Sequence, residues 1–185
     1  VTSTATELNL LDGKAATNLA LVGKQEGTNF TNSMLVGHAT SGTLSSADGN
    51  TGVGINALDA LTSGDNNTAM GFDAASALNT GGDNIAIGRR ALKLATNGAG
   101  NVAIGVDALI DVSSGQKNIG IGFDAGDNIT SGSGNVVIGK ADVSSATGDD
   151  QLSISDGVDG SVVWITGDSN GQVKLTSGYI AEVAL

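Results

Sequence analysis

The sequence predicts a β-rich repeat solenoid, a parallel β-roll or β-helix with 17-residue coils. Three observations support this prediction: glycines recur at a constant interval, a short apolar segment precedes each one, and large side chains are scarce. The 185 residues include 29 glycines but only three phenylalanines, one tryptophan and one tyrosine. A compact domain of this length normally fills its interior with larger side chains. A thin stack of coils with a narrow interior fits the composition better.

A column of glycines sets the period of the repeat. Each glycine lies 17 positions after the one before it: Gly37, Gly54, Gly71, Gly88, Gly105, Gly122 and Gly139. An asparagine lies four positions before six of them: Asn50, Asn67, Asn84, Asn101, Asn118 and Asn135. Ser33 takes that position in the first unit. A period that continues without insertions indicates one coil per repeat, each stacked on the last.

The segment that ends in each glycine has the pattern of a short strand. In segment 84–88 (NIAIG), the two isoleucines point to one face, and the asparagine, alanine and glycine point to the other. Segments 101–105 and 118–122 repeat this alternation. Strands stacked in parallel lie about 4.8 Å apart, so seven of them predict a rod about 30–35 Å long.

The rest of each coil fits two local structures. Segments 90–94 (RALKL) and 107–111 (DALID) are compatible with a second short strand or with one helical turn. In the helical alternative, Asp73, Asp107 or Asp124 is the N-cap. Ala-Leu pairs with few β-branched residues favour the helical turn slightly.

The chain divides into three segments. Residues 1–32 lack the period and are predicted to form an N-terminal stalk or connector, and residues 33–148 form the seven-coil solenoid. Residues 149–185 are predicted to form a C-terminal β cap, because solenoids need an atypical end over the last coil. Within the cap, segments 162–165 and 172–175 flank a Gly/Asp/Asn turn and predict a β-hairpin.

Both faces of the repeated strand are uncharged. One face carries Ile, Val, Met or Thr, and the centre of the other is mostly Ala or Gly. The outward face of a solitary solenoid is normally polar. We expect the small face to be the outward one and to pack closely against another surface. The simplest such surface belongs to a second copy of the chain under closed symmetry.

The Asn-x-Ala-Ile-Gly units at 84–88 and 101–105 resemble the head repeats of YadA-type trimeric autotransporter adhesins. That resemblance implies a left-handed parallel β-roll assembled as an intertwined or side-by-side homotrimer. The longer segment 64–75 (GDNNTAMGFDAA) is similar to repeats of bacteriophage tail-fibre proteins, and segment 4–13 (TATELNLLDG) resembles a sequence common in fibres of marine phages.

The resemblance implies a structural component of a virion or extracellular fibre that holds or presents a host-receptor-binding tip. Its expected location is the virion tail fibre or the cell surface. Its expected partners are two further copies, other fibre or tail proteins, and a host surface glycan or protein. Two alternatives are the head of a bacterial trimeric adhesin and a flat-faced repetitive binder such as an ice-binding solenoid. Ice binding favours a regular outward Thr array, which begins at Thr51 and Thr68 but ends at Ile85.

The sequence predicts no enzyme, no cofactor and no metal site. The chain has no cysteine, and no partner residues mark its single histidine, His38, as part of a catalytic triad. Segment 49–54 lacks the Lys-Ser or Lys-Thr of a phosphate loop. The period does not match the nine-residue motif of calcium-binding rolls, although acidic residues lie near glycines at Asp65, Asp83, Asp149, Asp150 and Asp168. The asparagine column is predicted to be structural, as an amide ladder or as turn residues.

Charge and hydropathy argue against nucleic acid as a partner and against insertion into a membrane. The net charge of −11 disfavours nucleic acid as a partner. No apolar run approaches the roughly 20 residues of a membrane span, so we expect no membrane insertion.

Overall fold

The computed structural model describes residues 33–36 and 46–176, and these residues form a β-solenoid that contains no helix. One sheet holds ten strands in chain order. Their bounds are β1 (Met34–Val36), β2 (Thr51–Val53), β3 (Thr68–Met70), β4 (Ile85–Ile87), β5 (Val102–Ile104), β6 (Ile119–Ile121), β7 (Val136–Ile138), β8 (Leu152–Ser155), β9 (Val163–Gly167) and β10 (Val173–Leu175). The predicted solenoid with 17-residue coils is confirmed. The predicted connector 1–32, together with Gly37 and His38, lies outside the described residues.

Strands β1 to β8 pair in parallel, and the register shows one coil per repeat. Ile85 pairs with Val102, and Val102 pairs with Ile119, so each partner lies one sequence period further along the chain. The amide of Val102 donates to the carbonyl of Asn118 at 2.8 Å, and equivalent bonds join the other regular coils. Constant spacing in the sequence therefore appears as constant height along the stack.

The parallel stack continues past residue 148, the boundary expected from the sequence. Val136 of β7 pairs with Leu152 of β8, so this coil is one position shorter than the regular period. Two residues separate Gly122 from Ala125, but only Lys140 separates Gly139 from Ala141. A fixed period places Asp156 at the next glycine position, whereas the structure places Ser155 above Gly139. One missing residue in a turn therefore moves the eighth parallel strand out of the constant period.

The chain reverses direction after β8. Strand β9 pairs antiparallel with β8, with an irregularity between Ile154 and Ser155. Strand β10 then pairs antiparallel with β9, so that Lys174 lies opposite Thr166. The carboxylate of Asp168 accepts hydrogen bonds from the amides of Asn170 and Gln172 in the intervening turn, each at 3.0 Å.

The outer part of each coil forms turns, so neither a second strand nor a helical turn is present in the described residues. Asp107 and Leu109 have φ angles of 60° and 50°, and Asp73 and Asp124 have φ angles of 57° and 51°. The expected N-cap role of these aspartates is therefore wrong. Left-handed residues at alternate positions prevent a helix, and the turn amides bond to the next coil instead. The amide of Leu109, for example, donates to the carbonyl of Ala125 at 3.0 Å.

The strand faces are oriented opposite to the sequence expectation, because the small face points inward. Ala86 and Ala103 are fully buried, whereas Ile87 and Ile104 are 36% and 37% exposed. The narrow coil explains this orientation, since leucines from the opposite turn already fill the interior. A Cβ on Gly120 would lie only 2.7 Å from Cγ of Leu109. The large residues inside are therefore mostly on the turns, and the strands supply small ones except for Leu35 and Val137 near the two ends of the stack.

Candidate interaction face

Two columns of outward side chains run along the stack, and together they form what we call the apolar face. The first column holds the first residue of each parallel strand: Met34, Thr51, Thr68, Ile85, Val102, Ile119, Val136 and Leu152. The second column holds the third residue: Val36, Val53, Met70, Ile87, Ile104, Ile121, Ile138 and Ile154. No member of either column is charged. Seven intervals of about 4.8 Å make the face about 34 Å long.

A row of residues borders the apolar face on each side. The trailing edge follows the strand glycines and comprises Ile55, Phe72, Arg89, Val106, Phe123 and Lys140. The leading edge precedes the buried asparagines and comprises Gly49, Asn66, Asp83, Gly100, Lys117 and Gly134. Phe72 and Phe123 are 48% and 47% exposed, so the trailing edge widens the apolar surface. Nζ of Lys140 lies 4.9 Å from the ring centroid of Phe123.

A ladder of buried asparagines holds the strands of this face at constant height. Nδ2 of Asn101 donates to Oδ1 of Asn84 at 3.2 Å and to the carbonyl of Gly115 at 3.0 Å. Oδ1 of Asn84 also accepts the backbone amide of Asn101 at 2.9 Å. The same bonds recur between the other asparagines, which are at most 1% exposed. Each side-chain amide is therefore fully engaged inside the stack and has no free group for a ligand.

The ladder ends in two residues that are not asparagine. At its beginning, Oγ of Ser33 accepts the backbone amide of Asn50 at 2.7 Å. At its end, Nε2 of Gln151 donates to Oδ1 of Asn135 at 3.1 Å, and Oε1 of Gln151 accepts from Ser144 and Ser145. The longer glutamine side chain folds back onto its own turn, which satisfies the polar groups of the last rung.

The strand glycines let successive coils approach closely beside the apolar face. Gly105 has a φ of 139°, a conformation that L-residues rarely adopt. A Cβ on Gly105 would overlap the carbonyl group of Gly122 in the next coil. Described members of the column meet the next coil in the same way, so this position requires glycine for conformation and for space.

Charged residues of successive turns pair along the stack. Nε of Arg90 donates to Oδ1 of Asp107 at 2.7 Å, and this hydrogen bond raises the pKa of Arg90. Nζ of Lys93 lies 3.1 Å from Oδ2 of Asp73. Burial works to raise the pKa of Asp73, but the hydrogen bonds from Asn56 and Lys93 outweigh it, and the pKa is lowered. These ion pairs join residues of adjacent coils, as a register of one coil per repeat requires.

A cavity of about 320 Å³ lies beside Lys140, in the coil between β7 and β8 that is one residue shorter than the others. Asp124, Asp127, Lys140, Asp142 and Asp159 contribute to its lining. Burial, followed by a hydrogen bond with Asp142, raises the pKa of Asp127 to about 7. Nζ of Lys140 lies 3.3 Å from Oδ2 of Asp124 and is the only cation among the described lining residues. This pair of carboxyl groups was not predicted from the sequence, because Asp142 follows the point at which the period breaks.

Of the five acidic residues considered for calcium, Asp149 and Asp150 are adjacent in one turn, and the other three lie on separate turns. Asp65 accepts the amide of Asp48 at 2.8 Å, and Asp149 accepts the amide of Ser133 at 2.7 Å. In residues 33–36 and 46–176, no group of three or more His, Cys, Asp or Glu side chains is arranged to hold a metal ion. Segment 49–54 contains strand β2 and is not a phosphate-binding loop.

Comparisons of the chain with protein-family models, with curated proteins and with solved structures find no match. Across the part of the chain that the structure describes, no helix could span a membrane. Inference about function therefore depends on the geometry of the apolar face.

Proposed function

We propose that the chain is a structural segment of a fibre, similar in kind to a bacteriophage tail fibre, in which three copies pack through the apolar face. The observation that supports this proposal is the orientation of the strands. Isoleucines and methionines that could have filled a core point outward in successive coils. The adhesin-like and tail-fibre-like repeats described above favour three as the number of copies.

The size of the apolar face supports burial against a partner. A strip about 34 Å long and three residues wide covers about 340 Å² in projection, before the trailing-edge aromatics are counted. Apolar patches of several hundred Å² on soluble proteins usually mark interaction sites. Arg89 and Lys140 are the only charged residues of the trailing edge, so burying this side of the face desolvates few charges.

The repeats supply length and stiffness to such a fibre. The regular coils share the same hydrogen-bonded interior, so the stack has a constant cross-section along its length. The proposed role is therefore to hold or present a receptor-binding tip, at the virion or the cell surface. The antiparallel strands β9 and β10 cover the free edge of β8, and we assign them the role of a cap. Further fibre or tail proteins, and a host glycan or protein at the tip, are the partners this role requires.

Native mass spectrometry of the full chain tests the assembly. We expect three chains per particle, and a stable monodisperse monomer would overturn the proposal. Ile104→Lys places a cation in the centre of the apolar face and should dissociate the trimer while circular dichroism still shows β structure. The matched control is Ser114→Lys, since Ser114 is exposed in a turn and lies outside the apolar face. The flanking genes test the role in a virion, because tail genes are expected beside it.

A further inference from the structure

We propose that neighbouring copies pack parallel and in register, and that Asp83 of one copy pairs with the partner subunit's Arg89. This inference rests on the proposed function, since it specifies how the apolar faces meet. It concerns the two edges of the face, which carry different charges at the same coil of the stack.

Arg89 has a charge that its own chain satisfies only in part. Two guanidinium groups share the carboxylate of Asp107, and Arg90 makes the closer bonds to it. Nη2 of Arg89 lies 3.3 Å from Oδ2 of Asp107, and the side chain of Arg89 is 49% exposed. Asp73 is already paired with Lys93. This group of three cations and two carboxylates therefore has an excess positive charge at the trailing edge.

Asp83 lies at the leading edge of the same coil. It is exposed, and its carboxylate accepts a hydrogen bond from Nδ2 of Asn66 at 3.3 Å. Within the described residues, no Lys or Arg nitrogen lies within 4.0 Å of this carboxylate. The segment 84–88 separates Asp83 from Arg89, and its extended part spans about 13 Å. The two residues therefore do not pair within one chain.

Symmetry determines which edges of neighbouring copies meet. Rotation about an axis parallel to the stack brings the leading edge of one copy against the trailing edge of the next, at equal height. A two-fold axis perpendicular to the stack brings like edges together instead. Asp83 can therefore meet the partner subunit's Arg89 only when the copies run parallel. Closed rings of parallel copies also require that no copy is shifted along the axis.

Charges on other coils oppose a shifted packing. A shift of one coil places Lys117 against the partner subunit's Lys140, and Asp83 against the partner subunit's Val106. A shift in the other direction places Asp83 against the partner subunit's Phe72. Without a shift, Lys117 faces the partner subunit's Phe123, where a cation can lie over the aromatic ring. Attraction in one register and repulsion in a neighbouring one together give specificity.

Disulfide trapping tests this pairing, and the absence of native cysteine makes the test clean. The double variant Asp83→Cys/Arg89→Cys should form covalent trimers on mild oxidation, seen by non-reducing gel electrophoresis and by denaturing mass spectrometry. An intrachain disulfide is not possible across the strand, because the two Cα atoms must lie within about 7 Å. Asp83→Cys/Lys140→Cys is the matched control, since its two positions are three coils apart, about 14 Å in height.

The outcomes separate this inference from the proposed function. A trimer in native mass spectrometry that gives no covalent trimer on oxidation overturns the pairing and leaves the fibre assembly intact. Covalent dimers of either single-cysteine variant show that like edges meet, which also overturns it. A chain that stays monomeric contradicts the proposed function itself. If the double variant does not assemble when reduced, mixing the two single-cysteine variants should give mixed disulfides, and their absence overturns the pairing.

Discussion

One buried column of the stack holds asparagine in every regular coil, whereas the residues of the outer turns change from coil to coil. Six successive asparagines occupy one buried column, and the five from Asn67 to Asn135 each donate to the asparagine of the preceding coil. On the outer turns, the residues two positions after the strand glycines vary in charge: Asn56, Asp73, Arg90, Asp107 and Asp124. An asparagine of this column contacts the asparagines of the coils below and above it, so a different residue would disturb both contacts. An outer position has solvent on one side and needs only a compatible charge.

The largest effect should follow substitution of an interior glycine. Gly105→Val adds a side chain at a φ of 139° and overlaps the backbone of Gly122. Conformational strain and overpacking together should lower the free energy of unfolding by about 3 kcal/mol or more. Thermal unfolding followed by circular dichroism measures the effect. Ser113→Thr is the control, because Thr62, Thr96 and Thr130 occupy the same column in other coils; equal melting temperatures would refute the packing argument.

Breaking one rung of the amide ladder should have the next largest effect. Asn101→Leu leaves the carbonyl of Gly115 without its donor and the amide of Asn118 without its acceptor. Buried unpaired groups should lower the free energy of unfolding by about 2–4 kcal/mol in total. Chemical denaturation measures it, with the exposed Asn97→Ala as the control. A loss no greater than that of the control would show that the ladder contributes little.

A smaller effect should appear at the irregular turn, as a dependence on pH. Burial and Asp142 raise the folded-state pKa of Asp127 to about 7, above its usual 3.8. Between these values the folded state holds a proton that the unfolded state has lost, so this group makes stability fall as pH rises. Asp127→Asn should remove that decline and make the protein more stable than wild type above pH 7. Melting temperatures across this range test it against Asp65→Asn, which lies in a distant turn and should keep the decline.

The smallest effect should come from an outer charge. Arg90→Glu replaces the ion pair with Asp107 by repulsion and should lower the free energy of unfolding by less than the substitutions of Gly105 and Asn101 do. The loss should be greatest at low ionic strength, because salt screens exposed charges. Adding Asp107→Lys should recover part of it. If thermal unfolding at low salt shows the double variant to be no more stable than Arg90→Glu alone, the pairing of residues 90 and 107 across one coil is contradicted.

The parts of the fold that could be predicted from the sequence are those that repeat. The period, the strand at segment 84–88 and the parallel register follow from the glycine and asparagine columns. Which face points inward was not predictable from alternation, because both faces are uncharged. The size of the turn residues Leu92 and Leu109 decides it, since they fill the interior and leave room only for alanine or glycine on the strand.

Two further features depend on geometry that the sequence pattern does not contain. The turns are left-handed at leucines such as Leu92 and Leu109, a residue type that rarely adopts that conformation, so composition favoured a helix incorrectly. The eighth parallel strand was not predicted, because Lys140 alone replaces a pair of residues and breaks the period. The sequence pattern identifies the residues of the apolar face, but it does not show that they point outward.

The asparagine ladder also has a consequence for how the gene could change in length. Asn84 and Asn101 have equivalent surroundings, so removing residues 85–101 would join Asn84 to Val102. Asn84 would then take the place of Asn101, and the ladder would be one rung shorter but unbroken. Duplication of the same stretch of coding sequence would add one. Recombination between neighbouring repeats could thus lengthen or shorten the rod in steps of about 4.8 Å without any new interior side chain. The repeat is thereby both a structural unit and a unit of inheritance.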